Sequence, residues 1–270
     1  MSVFSFIGDA FFVCLKMVLT DTHTHIYYHE GEALTDQIRR CEEQGIQRLF
    51  LPNVDLESVG KIQTVVERFP EKCFPMLGLH PCSVQEDYKN QLRELAFIGE
   101  TFKCVGIGEI GIDLYWDKTT LGWQQDAFKT QILWAKQQEL PIVIHCREAF
   151  DEVFEILDEM RGDDLRGIFH CFTGSIQQAE RAIDLGLYIG IGGIVTFKNA
   201  GLDKVVKSIP LQHVVLETDA PYLAPVPFRG KPNESSYLRY VAEKVAELHE
   251  VSLKKVADVT TANAVDVFKV

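Results

Sequence analysis

Residues 141–157 read PIVIHCREAFDEVFEIL. The first four form a short β-branched apolar run, which reads as a buried strand, and the residue that ends the run is His145. The period then changes. Phe150, Val153, Phe154 and Leu157 fall at i, i+3, i+4 and i+7, the spacing of one apolar helical face, and these side chains are read as core packing. An all-apolar strand followed by an amphipathic helix is half of a parallel β–α repeat, because the strands of a parallel sheet are covered on both faces.

The same alternation recurs on either side. Apolar runs at 18–22, 47–52, 73–79, 103–108, 167–169, 187–191 and 213–216 join 141–144 to make eight strand candidates. Leu238, Val241, Ala242 and Val245 repeat the helical spacing, and Phe128, Ile132 and Ala135 mark another stripe. Eight such units predict an α/β protein, a single-domain (β/α)8 TIM-type barrel, for which about 250 residues are typical. An open doubly wound sheet is the alternative, but no Gly-rich phosphate loop follows the first strand. Residues 1–16, MSVFSFIGDAFFVCLK, precede the pattern and a second methionine, Met17. They read as a dispensable N-terminal extension, with a weak signal or membrane-surface segment as the alternative, and the barrel domain is expected over 17–270.

Composition narrows the class. With 46% hydrophobic and 24% charged residues the chain is ordinary globular protein, and no apolar run approaches the roughly 20 residues that cross a bilayer. The seven cysteines form no CxxC pair, which fits a reducing cytoplasm. A net charge of −12 argues against a broad basic face for nucleic acid, so a phosphate substrate has to be met locally.

A barrel gathers its chemistry at the C-terminal ends of its strands. There the sequence has His23 and His25 (TDTHTH), Glu109 (VGIGEIGID), His145, His170 (GIFHCFTGS) and Asp219 (VVLETDAPYL). Two histidines one residue apart lie on the same side of an extended chain. Six ligands exceed the four of a closed zinc site and predict two divalent ions, Mg, Mn or Zn, with open positions. A carboxylate can bridge two cations where a neutral imidazole cannot, so Glu109 is the expected bridge. His23, His25 and Asp219 are then assigned to one ion, and His145 and His170 to the other. Arg147 shares a strand face with His145 if the strand persists, and its guanidinium could grip a phosphate through paired hydrogen bonds. Arg229 and Lys231 are either further phosphate contacts or solvated loop charges. Cys146 and Cys171 directly follow proposed ligands, so the pleat is expected to turn both towards the helices; Cys82 stays open.

The ordered set TDTHTH, LGLHP, VGIGEIGID, PIVIHCRE, FHCFTGS, IGIGG, LETDAPYL and RGKPNE resembles the TatD-type metal-dependent deoxyribonucleases, a branch of the amidohydrolase-like barrel superfamily, over about residues 17–270. The resemblance implies a barrel with two divalent ions that hydrolyses nucleic-acid phosphodiesters as an exonuclease, and its ligand pattern falls on His23, His25, Glu109, His145, His170 and Asp219. It also implies that His80 faces the substrate phosphate; a structural histidine packed by Pro81 is the other reading. NESS at 233–236, where many relatives resume with a proline, departs from the pattern and is expected to touch substrate contacts. The expected function is a DNase using a metal-activated water on single-stranded or frayed DNA ends. Asp219, Glu109 and His80 are its candidate catalytic residues; no membrane and no obligate protein partner are implied. Hydrolysis of an amide, lactone or aminoacyl ester by the same barrel is the alternative, and a non-catalytic metal-binding protein is a further one. Amidohydrolase relatives often bridge their metals with a carbamylated lysine, and Glu109 at that position favours the nuclease branch.

Overall fold

Among the described residues of the computed structural model, 17–270, eight strands alternate with helices from Leu19 onwards. The proposed extension at 1–16 lies outside the described residues. In chain order the elements are β1 (Leu19–Asp21), α1 (Gly31–Glu43), β2 (Ile46–Leu51), α2 (Leu56–Arg68), β3 (Cys73–Pro75), α3 (Tyr88–Gly99), β4 (Ile107–Asp113) and α4 (Leu121–Gln137). They continue as β5 (Ile142–Arg147), α5 (Phe150–Glu159), β6 (Gly167–Phe169), α6 (Ile176–Asp184), β7 (Leu187–Ile191), α7 (Leu202–Ser208), β8 (Val214–Leu216), α8 (Leu238–His249) and α9 (Leu253–Phe268).

All strand pairs are parallel and follow sequence order, β1-β2-β3 in one sheet and β4 through β8 in the other. Single parallel bridges continue the pairing at both edges, Leu77 with Ile107 and Thr24 with Ala220. Around the second edge Thr22 N–H donates to Leu216 O (2.9 Å), Asp219 N–H to His23 O (2.9 Å) and His25 N–H to Ala220 O (2.8 Å). The fold is the expected α/β barrel type. The stripes read from the sequence are buried: Phe128, Ile132 and Ala135 on α4, Val153, Phe154 and Leu157 on α5, and Leu238, Val241, Ala242 and Val245 on α8. Each large apolar side chain so buried contributes about 1.5–3 kcal/mol.

The period of two decides what points inward. Phe50, Met76, Val143, Ile168 and Val215 share one buried cluster with Val267 and Phe268 of α9, and Phe268 stacks on Phe50 with ring centroids 3.9 Å apart. Two residues past Val143, Ile168 and Val215, on the same face, stand His145, His170 and Glu217. The packed layer therefore forms the floor under the polar site.

β4 departs from the expected run at 103–108: it starts at Ile107 and continues to Asp113, so Glu109 lies inside the strand. Its register to β5 shifts between Ile107 and Ile110. Ile107, Ile110 and Ile112 all pack in the large core cluster, which strict alternation would forbid; the irregularity between them lets Ile107 share that face while Glu109 and Asp113 face inward. The third run ends as a strand at Pro75 and continues as an isolated bridge at Leu77. No helix among the described residues is long and apolar enough to cross a membrane.

Candidate metal centre

Buried polar side chains hold the strand ends where the ladder stops. Gln131 of α4 accepts from Leu79 N–H (2.7 Å) and donates to Leu79 O (3.2 Å), which fixes the segment that carries His80. Gln124, two turns earlier, makes the same pair with Asp113 N–H and O (2.8 and 3.1 Å). Asp21 accepts from Thr218 N–H (2.9 Å) and Thr218 Oγ1 (2.6 Å) and ties β1 to the β8 end; burial pushes its carboxyl up to about 7 against those hydrogen bonds. Asp219 follows in a left-handed backbone conformation, φ 55°, which a non-glycine residue adopts only where its surroundings impose it.

Glu109 is the hub. Its Oε2 lies 3.1 Å from His23 Nε2 and 3.9 Å from His25 Nε2, while Oε1 lies 2.7 Å from His145 Nδ1, 3.3 Å from His80 Nε2 and 3.5 Å from His170 Nε2. Asp219 Oδ1 stands 3.4 Å from His25 Nε2 and 3.8 Å from His23 Nε2. Potential ligand atoms lie within 4.8 Å of one another in the sets His23–His25–Asp219, His80–Glu109–His145, His23–His170–Glu217 and His170–Cys171–Asp219. The six expected ligands are thus in one cluster. His170 departs from the expected pairing with His145 alone: it also stacks on His23, with centroids 3.5 Å apart.

Outer hydrogen bonds sort the rings. Tyr27 Oη donates its one proton to Pro52 O (2.8 Å), since a carbonyl can only accept, so the 2.7 Å bond to His25 Nδ1 must come from the imidazole N–H. The Nε2 lone pair of His25 then faces Glu109 and Asp219. Asp113 Oδ2 takes His145 Nε2–H at 2.9 Å, leaving Nδ1 towards Glu109. Glu217 Oε1 stands 3.0 Å from His170 Nδ1 without completing a hydrogen bond, and Nε2 faces inward, 3.5 Å from Glu109 Oε1. A carboxylate or hydroxyl behind the ring is the usual way of orienting a metal-binding histidine. His80 is different: its Nδ1 accepts from Cys82 N–H (3.0 Å), so a neutral ring carries its proton on Nε2, a donor that meets His145 Nδ1 at 3.2 Å. Tyr27, Asp113 and Glu217 escaped sequence reasoning. Asp113 and Glu217 sat inside the motifs GEIGID and LETDAPYL, where the period-two offset from Glu109 and Asp219 was the available signal.

The donor set fits divalent cations. His23 is fully buried, and neither ring nitrogen makes a hydrogen bond, although Nε2 is 3.1 Å from Glu109; buried polar atoms are rarely left so. Glu109, Asp113 and Glu217 are buried carboxylates, which require nearby positive charge. Burial alone would raise the Glu109 carboxyl, but the His80, His23 and His170 rings and the His145 hydrogen bond outweigh it and hold it well below the usual range. Burial likewise opposes charge on His170, yet Glu217 and Glu109 bring that ring up to about 10.

His25, His80, Glu109, Asp113, His145, His170 and Asp219 line a cavity of about 610 Å³, together with Tyr28, Cys82, Trp116, Cys146, Arg147, Cys171, Thr173, Ile194 and Tyr222. β5 persists through Arg147, so Arg147 and His145 share this cavity as the period of two implies. Arg229 and Lys231 do not line it; both are exposed, and Arg229 lies over the Phe197 ring at 4.4 Å. Cys146 packs against the helical core and also reaches the cavity wall. Cys171 does not turn to the helices: β6 has ended at Phe169, its φ is 44°, and its thiol faces the site beside His170 and Asp219. The 233–236 segment is tied into the fold: Asn233 Nδ2 donates to Thr218 O (2.7 Å) and Tyr222 O (2.6 Å), Ser235 to Thr24 (2.8 Å), and Glu234 pairs with Arg40 (2.7 Å).

A parallel barrel with buried histidines and carboxylates gathered at its strand ends is a form suited to a metal-dependent hydrolase. A family model described as "TatD related DNase" matches residues 20–269. The chain is 37% identical over 255 residues to "Uncharacterized metal-dependent hydrolase YabD" of Bacillus subtilis, covering 94% of this chain and 100% of that one. It is 32% identical over 241 residues to "3'-5' ssDNA/RNA exonuclease TatD" of Yersinia pseudotuberculosis, covering 86% and 92%. Among solved structures, the TatD homologue YjjV of Escherichia coli superposes with a TM-score of 0.86 at 28% identity, over 93% of this chain and 98% of that one. The chain belongs to the TatD family of metal-dependent hydrolases.

Proposed function

We propose that the chain is a divalent-metal-dependent phosphodiesterase that shortens single-stranded or frayed DNA from an end. The observation that carries this reading is the sorting of rings around Glu109. His25 and His145 turn lone pairs inward, His170 points Nε2 at Glu109, His23 is left without a hydrogen bond, and His80 turns an N–H. Such a site offers ligands for cations and one donor for an anionic substrate. His23, His25 and Asp219 would hold one ion and His145 and His170 another, with Glu109 between them. Divalent ions held there would supply Lewis-acid polarisation of the phosphate and a lowered pKa for water.

The chain's own groups do the rest. His80 Nε2–H donates to a non-bridging phosphate oxygen, and Arg147, at the mouth, pairs with the same or the next phosphate. Asp219 orients the attacking water and takes up its proton. The name of the Yersinia relative, a 3'-5' ssDNA/RNA exonuclease, supports the substrate class. Six free thiols among the described residues support a reducing cytoplasm as the compartment.

End-labelled single-stranded DNA incubated with protein and Mg, Mn or Zn should be shortened stepwise, and a chelator should abolish the reaction. Arg147→Ala should slow DNA turnover while leaving metal content unchanged. Metal-loaded protein that leaves the DNA intact but cleaves an amide or aminoacyl ester would replace this reading with the alternative hydrolase.

A further inference from the structure

The mouth of the cavity exposes aromatic rings in two groups. One follows β4: Tyr115 is 49% and Trp116 71% exposed, and the Arg147 guanidinium sits 3.6 Å from the Tyr115 centroid and 5.5 Å from that of Trp116. The other follows β1 and β8: Tyr28 is 42%, Tyr222 51% and Leu223 39% exposed. Tyr28 lies parallel to the His25 ring at 5.6 Å and Tyr222 meets it edge-on at 5.8 Å. Trp116, Tyr28, Tyr222 and Leu223 all line the cavity.

Ring order sets where these groups stand. With eight strands in sequence order and bridges at both edges, the β4–β5 ends lie across the mouth from the β8–β1 ends. The Glu109 cluster lies between them. Large aromatic faces left in water on opposite sides of one cavity mark a binding surface for flat apolar groups. Net charge adds the second argument. At −12 the protein cannot gain affinity by neutralising many phosphates, so another source of binding free energy is needed. Base stacking on aromatic rings is such a source, works for every base, and requires a strand whose bases are free to splay.

We propose that the mouth is a two-walled base-stacking site in which consecutive nucleobases rest against Trp116 on one side and against Tyr222 with Tyr28 on the other. The phosphodiester between them then lies over the Glu109 cluster. This rests on the phosphodiesterase reading and adds what is recognised: a dinucleotide step of single-stranded nucleic acid, irrespective of base identity. Arg147, stacked on Tyr115, stiffens the β4 wall and presents its remaining N–H groups to a phosphate.

Two measurements test it. The first compares kcat/KM for a deoxydinucleotide with that for ethyl p-nitrophenyl phosphate, a diester without bases, in wild type, Trp116→Ala and Tyr222→Ala. Each variant should lower the dinucleotide-to-ester ratio by about 5- to 100-fold, almost all through KM. A loss of metal or of fold would depress both substrates together and leave the ratio unmoved, which would overturn the proposal. The second follows the fluorescence of a 2-aminopurine dinucleotide with a hydrolysis-resistant methylphosphonate linkage, added to the metal-loaded protein. Quenching by wild type that is lost in both variants supports stacking without any reliance on catalysis; no quenching by wild type overturns it. If wild type quenches the probe but cleaves neither diester, the phosphodiesterase reading fails while the base-binding walls stand.

Discussion

Tyr27→Phe removes one oxygen from the site and nothing else. The ring stays to fill its fully buried place, so no cavity forms. Two partners are lost: the His25 Nδ1–H that the hydroxyl accepts at 2.7 Å and the Pro52 carbonyl to which it donates at 2.8 Å. Both are buried, and an orphaned buried polar group costs about 1–3 kcal/mol, so unfolding free energy should fall by about 2–6 kcal/mol. The more specific effect is on tautomer. Without the hydroxyl, His25 can move its proton to Nε2, where it blocks the lone pair that faces Glu109 Oε2 and Asp219 Oδ1. Loss of such an outer partner costs about 10- to 100-fold in metal affinity. Stability is read by urea unfolding in chelator, and affinity by competition with a chromophoric chelator on the folded protein. If the variant loses stability but keeps wild-type affinity within about twofold, Tyr27 does not set the His25 tautomer and the orientation argument fails.

Glu109→Ala should lower the metal content of both candidate sites, because its two oxygens face different histidines, whereas His170→Ala should weaken binding without emptying both; two ions per chain in Glu109→Ala, by elemental analysis, would remove the bridge. Gly190→Ala puts a Cβ 2.5 Å from Glu217 Oε2 and 3.2 Å from His170 Cα, so it should destabilise by about 1–3 kcal/mol and loosen metal at His170. Denaturant unfolding and metal titration check this, and a wild-type result in both would show that Glu217 does not hold that ring. His80→Ala should slow DNA cleavage while leaving metal affinity within about threefold, because its Nδ1 is already occupied by Cys82 N–H; a large loss of metal would make His80 a ligand.

Local pattern carried much of this protein in its sequence. Period two followed by period 3.6 is a property of neighbouring residues, so the runs around Ile142–Ile144 and Val214–Leu216 and the stripe Val153, Phe154, Leu157 were legible without a fold. The six expected ligands were legible too, because a parallel barrel brings the ends of its strands to one face whatever lies between them. Tertiary structure alone decided what depends on partners far apart in the chain. Ile107 joins the core face of Ile110 and Ile112, not the face of Glu109, because β4 slips register against β5, which strict alternation does not record. Cys171 turns to the site because β6 ends two residues before it and the pleat no longer governs its direction. Asn233 in NESS meets the Thr218 carbonyl in the β8 loop, fifteen positions back in the chain. Which histidines offer lone pairs and which one an N–H was fixed by Tyr27, Asp113 and the Cys82 amide. A ring nitrogen takes its role from whatever sits behind it, and only the closed chain puts those groups there.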